Sequence, residues 1–380
     1  MNKGALRGAK VFRSTKGKRA DKGVWISFVF LLITGLVVLY AASFYNAQDS
    51  GNAFSEVNSQ LIGVMLGGIF MAVLWKTDLE VLKRPEVSAG LLIVSFTLLA
   101  LVAIPGIGVY LNGSRRWLRI GGVSFQPSEI AKYSLILFMA RALSRPERDI
   151  RNFFKGLIPL FIIPGCMFIL VLLQPNLSTA GSIVIVSAVM VMMAGARWLH
   201  LFAIGCSGLA IGCYYALSEP YRRARMISFT DPFMYLSNEG YQLAQSLMAF
   251  GSGGLFGMGI GRGKQKYSFL PYPESDFIFA VVGEDAGFFG CIFVIGLFMA
   301  FLFFSLRVAI RERDRFKSLL CAGISAMIGI QTVLNIAVVI GVMPTTGLPL
   351  PLFSAGGTSV SIVMGAIGII LNISSEQSGF

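Results

Sequence analysis

Histidine is nearly missing from this chain: His200 is the one imidazole in 380 residues. A Ser-His-Asp triad, a histidine-rich metal site and HExxH chemistry are thereby excluded, so catalysis has to rest on carboxylates, Lys, Arg or a metal held by oxygen ligands. Cysteine is scarce too. Cys166, Cys206, Cys213, Cys291 and Cys321 all fall in apolar runs and read as small core residues, not as a disulfide framework or a zinc site. Charge is the third deficit: 13% of residues are charged against 55% hydrophobic, and the mean hydropathy is +0.72. So few polar side chains cannot cover a water-facing exterior, which excludes soluble enzymes, disordered chains and secreted scaffolds.

What is abundant is uninterrupted apolar sequence, which predicts an all-α polytopic membrane protein and not a barrel of alternating strands. At roughly 20 apolar residues per crossing, ten spans are predicted: Val24–Ser43, Gln60–Trp75, Ser88–Gly108, Glu129–Leu143, Gly156–Leu173, Thr179–Ala196, Leu199–Leu217, Asp276–Leu306, Ser318–Met343 and Gly357–Ile373. The first run is too long for the core of a cleavable signal. Residues 1-23 are therefore read as a basic cytoplasmic tail, 24-375 as a ten-helix membrane domain and 376-380 as a cytoplasmic C-terminus, with 218-275 a large extracytoplasmic loop between spans seven and eight.

The net charge of +13 comes from 32 Lys and Arg against 19 Asp and Glu. With ten spans, 22 of the basic residues fall in segments on one side, which the positive-inside rule assigns to the cytoplasm together with both termini. Their scatter over short loops argues against nucleic-acid recognition. Nine fall on the other side, in two places: Arg115, Arg116 and Arg119, and then Arg222, Arg223, Arg225, Arg262, Lys264 and Lys266. Positive charge placed against the insertion signal points to an anionic ligand at the outer surface, with ordinary loop charge as the alternative.

Ionisable groups within apolar spans cost about 2.5–3.5 kcal/mol each on insertion scales and need a reason. Glu129 and Lys132 are three apart, on one helical face, where they either serve a site or neutralise each other and pin helix packing. Glu284 and Asp285 lie about two turns into span eight. Asp276 opens that span at its outer end, as a reactive carboxylate or as a first-turn acid, with Ser275 a capping candidate. Asp276, Glu129 and the two basic loops share the outer face, so that acid, base and anion binders converge there.

Within the long loop, Tyr241, Ala244, Leu247 and Met248 have helical spacing, and a short interfacial helix on the outer leaflet is predicted. Next, residues 251–264 are glycine-rich. They fail as a Walker A loop, with Met258 and Gln265 where Gly and Ser or Thr are required, and as a dinucleotide fingerprint, with Arg262 in place of the third Gly. What survives is a backbone able to present N–H groups to a phosphate, followed by Arg262, Lys264 and Lys266; a loop without a ligand is the alternative. The segment Gly341–Gly357 carries three prolines and four glycines and no charge, and reads as a re-entrant or cavity-lining loop.

Asn335 through Ser359, with Gly341, Pro344, Gly347, Ser354, Gly356 and Gly357, resembles the signature of the FtsW/RodA/SpoVE (SEDS) family. So do residues 112–117 (Asn-Gly-Ser-Arg-Arg-Trp), 125–132 (Phe-Gln-Pro-Ser-Glu-Ile-Ala-Lys), 241–246 (Tyr-Gln-Leu-Ala-Gln-Ser), 265–271 and 276–284. Residues 112–117, 219–222 and 241–250 are closer to the FtsW branch than to the RodA branch. The resemblance implies a peptidoglycan glycosyltransferase that polymerises lipid II into glycan outside the cytoplasmic (inner) membrane of a bacterium, at the division septum, beside a class B penicillin-binding protein and other divisome proteins. Within it Asp276 is the expected catalytic residue, either general base or ligand of a divalent cation, Mg or Mn; no organic cofactor is implied. Arg115, Arg116, Glu129, Lys132, Asn176, Arg262, Lys264, Lys266 and Ser354 are the expected substrate-binding residues. Asn176 departs from the family's common Asp, and Ser275 stands where Thr of a His-Thr pair is common. A lipid II flippase, an elongation-type RodA-like polymerase and a scaffold for the cross-linking partner are the alternative functions.

Overall fold

The computed structural model describes residues 20–49, 55–111, 114–120, 123–146, 150–218, 220–236 and 240–377. The tail cations from Lys3 to Arg19, Asn112 and Gly113 of the first motif, Glu219 and residues 378–380 lie outside the described residues.

All ten predicted segments are helices. In chain order the helices are α1 (Lys22–Asp49), α2 (Ser55–Lys76), the one-turn α3 (Leu79–Leu82), α4 (Pro85–Ala103), α5 (Pro127–Leu143), α6 (Ile158–Leu172), α7 (Leu177–Met193), α8 (Trp198–Ser218), α9 (Pro220–Thr230), α10 (Tyr241–Gly253), the one-turn α11 (Gln265–Ser268), α12 (Ile278–Arg311), α13 (Arg315–Val339) and α14 (Gly357–Gln377). Among the described residues seven helices are long and apolar enough to cross a membrane: α1, α2, α4, α6 with its leading π turn, α12, α13 and α14. The helix α7 and the stretch Trp198–Tyr214 of α8 are apolar but shorter, and α5, at 17 residues, carries Glu129 and Lys132.

Burial divides the bundle into a centre and a rim. The apolar windows of α13 and α14 are 67% and 72% buried, whereas those of α2 and α12 are 22% buried. The rim exposes Ile62, Met65, Ile69 and Phe70 on α2 and Phe288, Phe289, Ile292 and Phe293 on α12. A patch of that extent is untenable in water and is what a lipid-facing surface requires. α2 and α14 pack with their backbones nearly touching, because a Cβ on Gly63 would overlap the main chain of Gly357. Ser361 Oγ then reaches Gly63 O at 2.7 Å.

The start of α1 and the end of α14 meet at one end of the bundle, where Asp21 N donates to Ser374 Oγ at 3.1 Å. Asp21 caps α1, its Oδ1 accepting from Gly23 N at 2.8 Å, and its Oδ2 pairs with Arg307. Lys83 pairs with Asp314 at 3.0 Å and Lys317 with Glu376 at 2.5 Å at this same end. Asp314 is also the N-cap of α13, accepting from the N–H groups of Phe316 and Lys317. Burial pushes the Asp314 carboxyl up, but Lys83 and those N–H groups outweigh it and hold it below the ordinary carboxylate range.

The opposite end is where the sequence reading needs correction. The third predicted span is α4, which stops at Ala103, not Gly108, because residues 108–111, 114–120 and 123–125 form a three-stranded antiparallel sheet in order β1-β2-β3, so the fold is not purely α. Helical α10 was expected on the leaflet surface but is packed into the bundle against α12 and α13; Leu243, Ala244, Gln245, Ser246 and Ala249 are buried and Ser246 Oγ donates to Val339 O at 2.7 Å. Its apolar positions cover more than one face, which is the mark of a buried helix. The exposed amphipathic helix of the long loop is instead α9, with Met226 and Ile227 outward and Arg223 exposed.

Candidate functional site

The three-stranded sheet delivers two arginines to opposite faces, as alternation along a strand requires. Arg115 lies over the Tyr110 ring at 5.5 Å, while Arg116 reaches across to the turn between α6 and α7, its guanidinium donating to Gln174 O at 3.3 Å and to Pro175 O. Chain direction then reverses at β3, and Pro127 at the first helical position starts α5 where a missing N–H costs nothing. This places Glu129 in the first turn, near the positive end of the helix dipole. Lys132 Nζ donates to Glu129 Oε1 at 2.7 Å and Ser359 Oγ to Glu129 Oε2 at 3.0 Å. Glu129 and Lys132 are 2% and 0% exposed, so the pair is sealed in the bundle and neutralises itself there.

Asp276 is not a helix cap. α12 starts at Ile278 with Phe277 as its N-cap and no side-chain cap, so neither Asp276 nor Ser275 plays the part the alternative reading gave them. Asp276 is half-buried in the turn before the helix, and its main-chain carbonyl accepts from Asn335 Nδ2 at 2.7 Å. Burial raises its carboxyl above the ordinary aspartate value, against the pull of its own backbone N–H and the charges of Arg225 and Arg116.

The segment Gly341–Gly357 is the hub that joins these parts. Gly347, at φ 71°, leaves open a space in which a Cβ would lie 3.6 Å from Asp276 Oδ2 and 3.9 Å from Arg116 Nη1, so carboxylate and guanidinium converge on one glycine turn. Thr346 O accepts from Ser178 Oγ at 3.1 Å, Leu348 O from Asn335 Nδ2 at 2.7 Å, and Glu274 O from Ala355 N at 2.7 Å. Gly356 N donates to Gln60 Oε1 at 3.0 Å. Irregular backbone is thus satisfied by side chains from α2, α7 and α13, as its position within the bundle demands.

Three expected ligands have other partners. Ser354 is buried and its Oγ accepts from Leu350 N at 2.8 Å, bracing the hub. Asn176 is buried and caps α7, accepting from Thr179 N at 3.3 Å, so its side-chain oxygen faces a helix end. Lys266 is 1% exposed and its ammonium is held by Asp285, with Nζ 2.5 Å from Oδ2. Arg262 and Lys264 are exposed, while Arg115 stacks over Tyr110.

The glycine-rich loop does gather N–H groups around an anion, but the anion belongs to the protein. Gly261 N and Gly263 N donate to Asp285 at 3.1 and 3.3 Å, and Lys264 N and Gln265 N to Glu284 Oε1 at 2.5 and 2.9 Å. α12 breaks at Gly287 (φ 66°, ψ −161°), and the loop backbone fills the break: Met258 N and Gly259 N donate to the carbonyls of Glu284 and Asp285. Gly257 (φ 80°) fits there because a Cβ would strike the Asp285 carbonyl. Between this loop and Glu274 lies a cavity of about 530 Å³ lined by Tyr241, Lys266, Phe269, Leu270, Pro271 and Tyr272.

Among the described residues no three His, Cys, Asp or Glu side chains come together as a metal cage. Glu129 is held by Lys132 and Ser359, and the charges acting on Asp276 are arginines. These donors do not fit a resident divalent cation. Ser359, Gln60, Asn335 and Gly347 were not singled out as site residues from sequence, although all but Gln60 lie in the quoted family segment; a polar residue at the mouth of an apolar run was the available signal for Gln60.

Comparison with known proteins agrees with this architecture. A family model described as cell cycle protein, FtsW/RodA/SpoVE, matches residues 22–379. Stage V sporulation protein E of Bacillus subtilis (strain 168) is 38% identical over 365 residues, covering 95% of this chain and 98% of that protein. The probable peptidoglycan glycosyltransferase FtsW of Geobacter sp. (strain M18) is 36% identical, covering 94% and 98%. Among solved structures, a chain from a peptidoglycan synthase complex that coordinates polymerization and crosslinking superposes with a TM-score of 0.76 at 28% identity, covering 95% of this chain and 99% of that one. The rod shape determining protein RodA of Thermus thermophilus superposes at 0.66 and 26% identity, covering 93% and 96%. Matched over nearly its whole described length, this multi-pass membrane protein belongs to the FtsW/RodA/SpoVE family.

Proposed function

We propose that the chain is a peptidoglycan glycosyltransferase that polymerises lipid II at the outer face of the cytoplasmic membrane, with Asp276 as general base. The observation that carries the reading is the convergence of Asp276 and Arg116 on the Gly347 turn, at the bundle end opposite the start of α1 and the end of α14. The name of the Geobacter relative supports the reaction class. The ten helices are read as ten spans with both termini cytoplasmic, which puts Asp276 outside, where the lipid-linked sugars are.

In the reaction an acceptor hydroxyl attacks the anomeric carbon of a lipid-linked sugar. A C–O bond forms there, the C–O bond to pyrophosphate breaks, and the polyprenyl pyrophosphate leaves. Asp276 takes the hydroxyl proton, and its elevated affinity for that proton suits a base. Arg116 offsets the charge that grows on the leaving group, and exposed Arg262 and Lys264 attract the pyrophosphate from further out. The Glu129–Lys132 pair fixes the start of α5 beside Ser359. Ser354 and Asn176 support the site through the loops they brace. Arg115 and Lys266 are assigned no contact with the substrate. No step is routed through a metal.

A septal role beside a class B penicillin-binding protein is favoured over elongation by the FtsW-like motifs, and the synthase-complex neighbour supports a cross-linking partner. The test is polymerisation of purified lipid II by the full chain with that partner. Wild type lengthens glycan and Asp276→Ala does not. Full activity of Asp276→Ala would remove the base, and movement of lipid between leaflets without any glycan product would establish a transporter.

A further inference from the structure

Asn335 sits near the end of α13 and is 1% exposed. Its side-chain amide has two N–H bonds, and each is directed at a main-chain carbonyl from a different loop. One goes to Asp276 O at 2.7 Å and the other to Leu348 O at 2.7 Å. Because both neighbours are acceptors, the amide orientation follows from the contacts: only the nitrogen can face them. The oxygen Oδ1 is buried and meets no protein partner, so Asn335 is held in place through its donor alone.

Neither carbonyl belongs to regular structure. Asp276 precedes the first residue of α12, and Leu348 follows the left-handed Gly347 in the irregular hub. One amide therefore clamps together the peptide that carries the Asp276 carboxylate and the peptide next to the turn that this carboxylate faces. A helix in the packed centre of the bundle is the rigid element behind the clamp. Asn335 makes no contact with the Asp276 carboxylate in this arrangement; it acts on where the main chain stands.

We infer that Asn335 is a positioning residue for glycosyl transfer: its paired donation to Asp276 O and Leu348 O sets the Asp276 carboxylate against the Gly347 turn and Arg116. This rests on the reading of Asp276 as the base. A misplacement near 1 Å at a reacting group costs about 100-fold in rate, and loss of the clamp frees both loops to drift by that order.

The experiment compares wild type, Asn335→Ala, Asp276→Asn and the double variant as full-length chains with the cross-linking partner. Lipid II polymerisation gives kcat and KM, and titration with a fluorescent lipid II gives the bound fraction. Asn335→Ala is expected to lower kcat about 100-fold with KM within about threefold and with the binding stoichiometry of wild type. A partly unfolded variant would instead lose stoichiometry. Asn335→Ser, which keeps a single O–H donor, is expected to recover part of the loss, and it replaces the alanine variant if that one does not fold. On the Asp276→Asn background the Asn335 substitution should cost nothing more, since it acts through that residue. Wild-type kcat in both Asn335 variants, or a full further loss on the Asp276→Asn background, overturns the inference alone. Wild-type activity of Asp276→Asn overturns the base assignment, and the inference falls with it.

Discussion

Lys266 and Asp285 form a buried ion pair, Nζ to Oδ2 at 2.5 Å, that ties a glycine-rich loop to the broken helix beneath it. The pair turns an apparent phosphate-binding motif into an internal strut. Breaking a buried pair from one side costs about 3–5 kcal/mol, because the remaining charge is left uncompensated, whereas replacing both partners with apolar groups costs much less. Lys266→Met should therefore lower thermal stability in detergent sharply, and Lys266→Met with Asp285→Leu should regain only part of it, because Gly261 N and Gly263 N then lose the carboxylate that accepts from them. If Lys266→Met left stability unchanged and raised only the KM for lipid II, Lys266 would be a substrate ligand after all.

The Glu129–Lys132 pair is subject to the same arithmetic with one more partner, Ser359. Lys132→Met is expected to destabilise by about 3–5 kcal/mol, and Ser359→Ala by about 1–3 kcal/mol, the cost of removing a hydrogen bond to a charged group. Chemical or thermal unfolding of the purified chain measures both. Equal, negligible effects would mean that water reaches Glu129.

Asp276 should show itself in the pH dependence of polymerisation. Burial raises its carboxyl, so the deprotonated base is lost as pH falls through a value above the ordinary aspartate figure of about 3.9. Rate should rise with pH through that midpoint. Arg225 pulls the same carboxyl down, so Arg225→Ala should move the midpoint to higher pH. A midpoint that stays put would mean that Arg225 does not act on Asp276.

Asp314 supplies a stability test at the other end of the bundle. Its carboxyl is depressed, so its contribution is present above the unfolded-state value of about 3.9 and is lost as pH falls through the lower folded value. Asp314→Ala should cost about 1 kcal/mol as a lost helix cap, and the difference between variant and wild type should shrink in acid. A constant difference down to pH 2 would show that the carboxylate is not the source.

Ten of the described helices were legible as apolar runs, because hydropathy and span length are local properties that need no partner to be read. Pro127 ahead of Glu129 and Lys132 marked the start of α5, and their spacing of three placed them on one face. The sheet between α4 and α5 was missed, since β1 adjoins an apolar helix and continues its hydrophobic character, while the three arginines of β2 read as loop charge. The polar groups of the site were identified more readily by type than by partner. Lys266 and Asp285 are 19 residues apart, and only the kink at Gly287 brings the loop down onto the helix. A nearby cation for the intramembrane Glu284 and Asp285 was the missed signal.

By itself the sequence determined that this protein lives in a membrane, how its apolar segments are divided, and which carboxylates and cations needed explaining. Only the tertiary structure decided their partners. Asp276, Arg116 and Gly347 meet from three distant stretches of chain, and Asn335 fastens two of those stretches at once. The physical reason is that burial makes every donor and acceptor find a partner, and in a packed bundle that partner is chosen by which elements lie side by side, not by spacing along the chain.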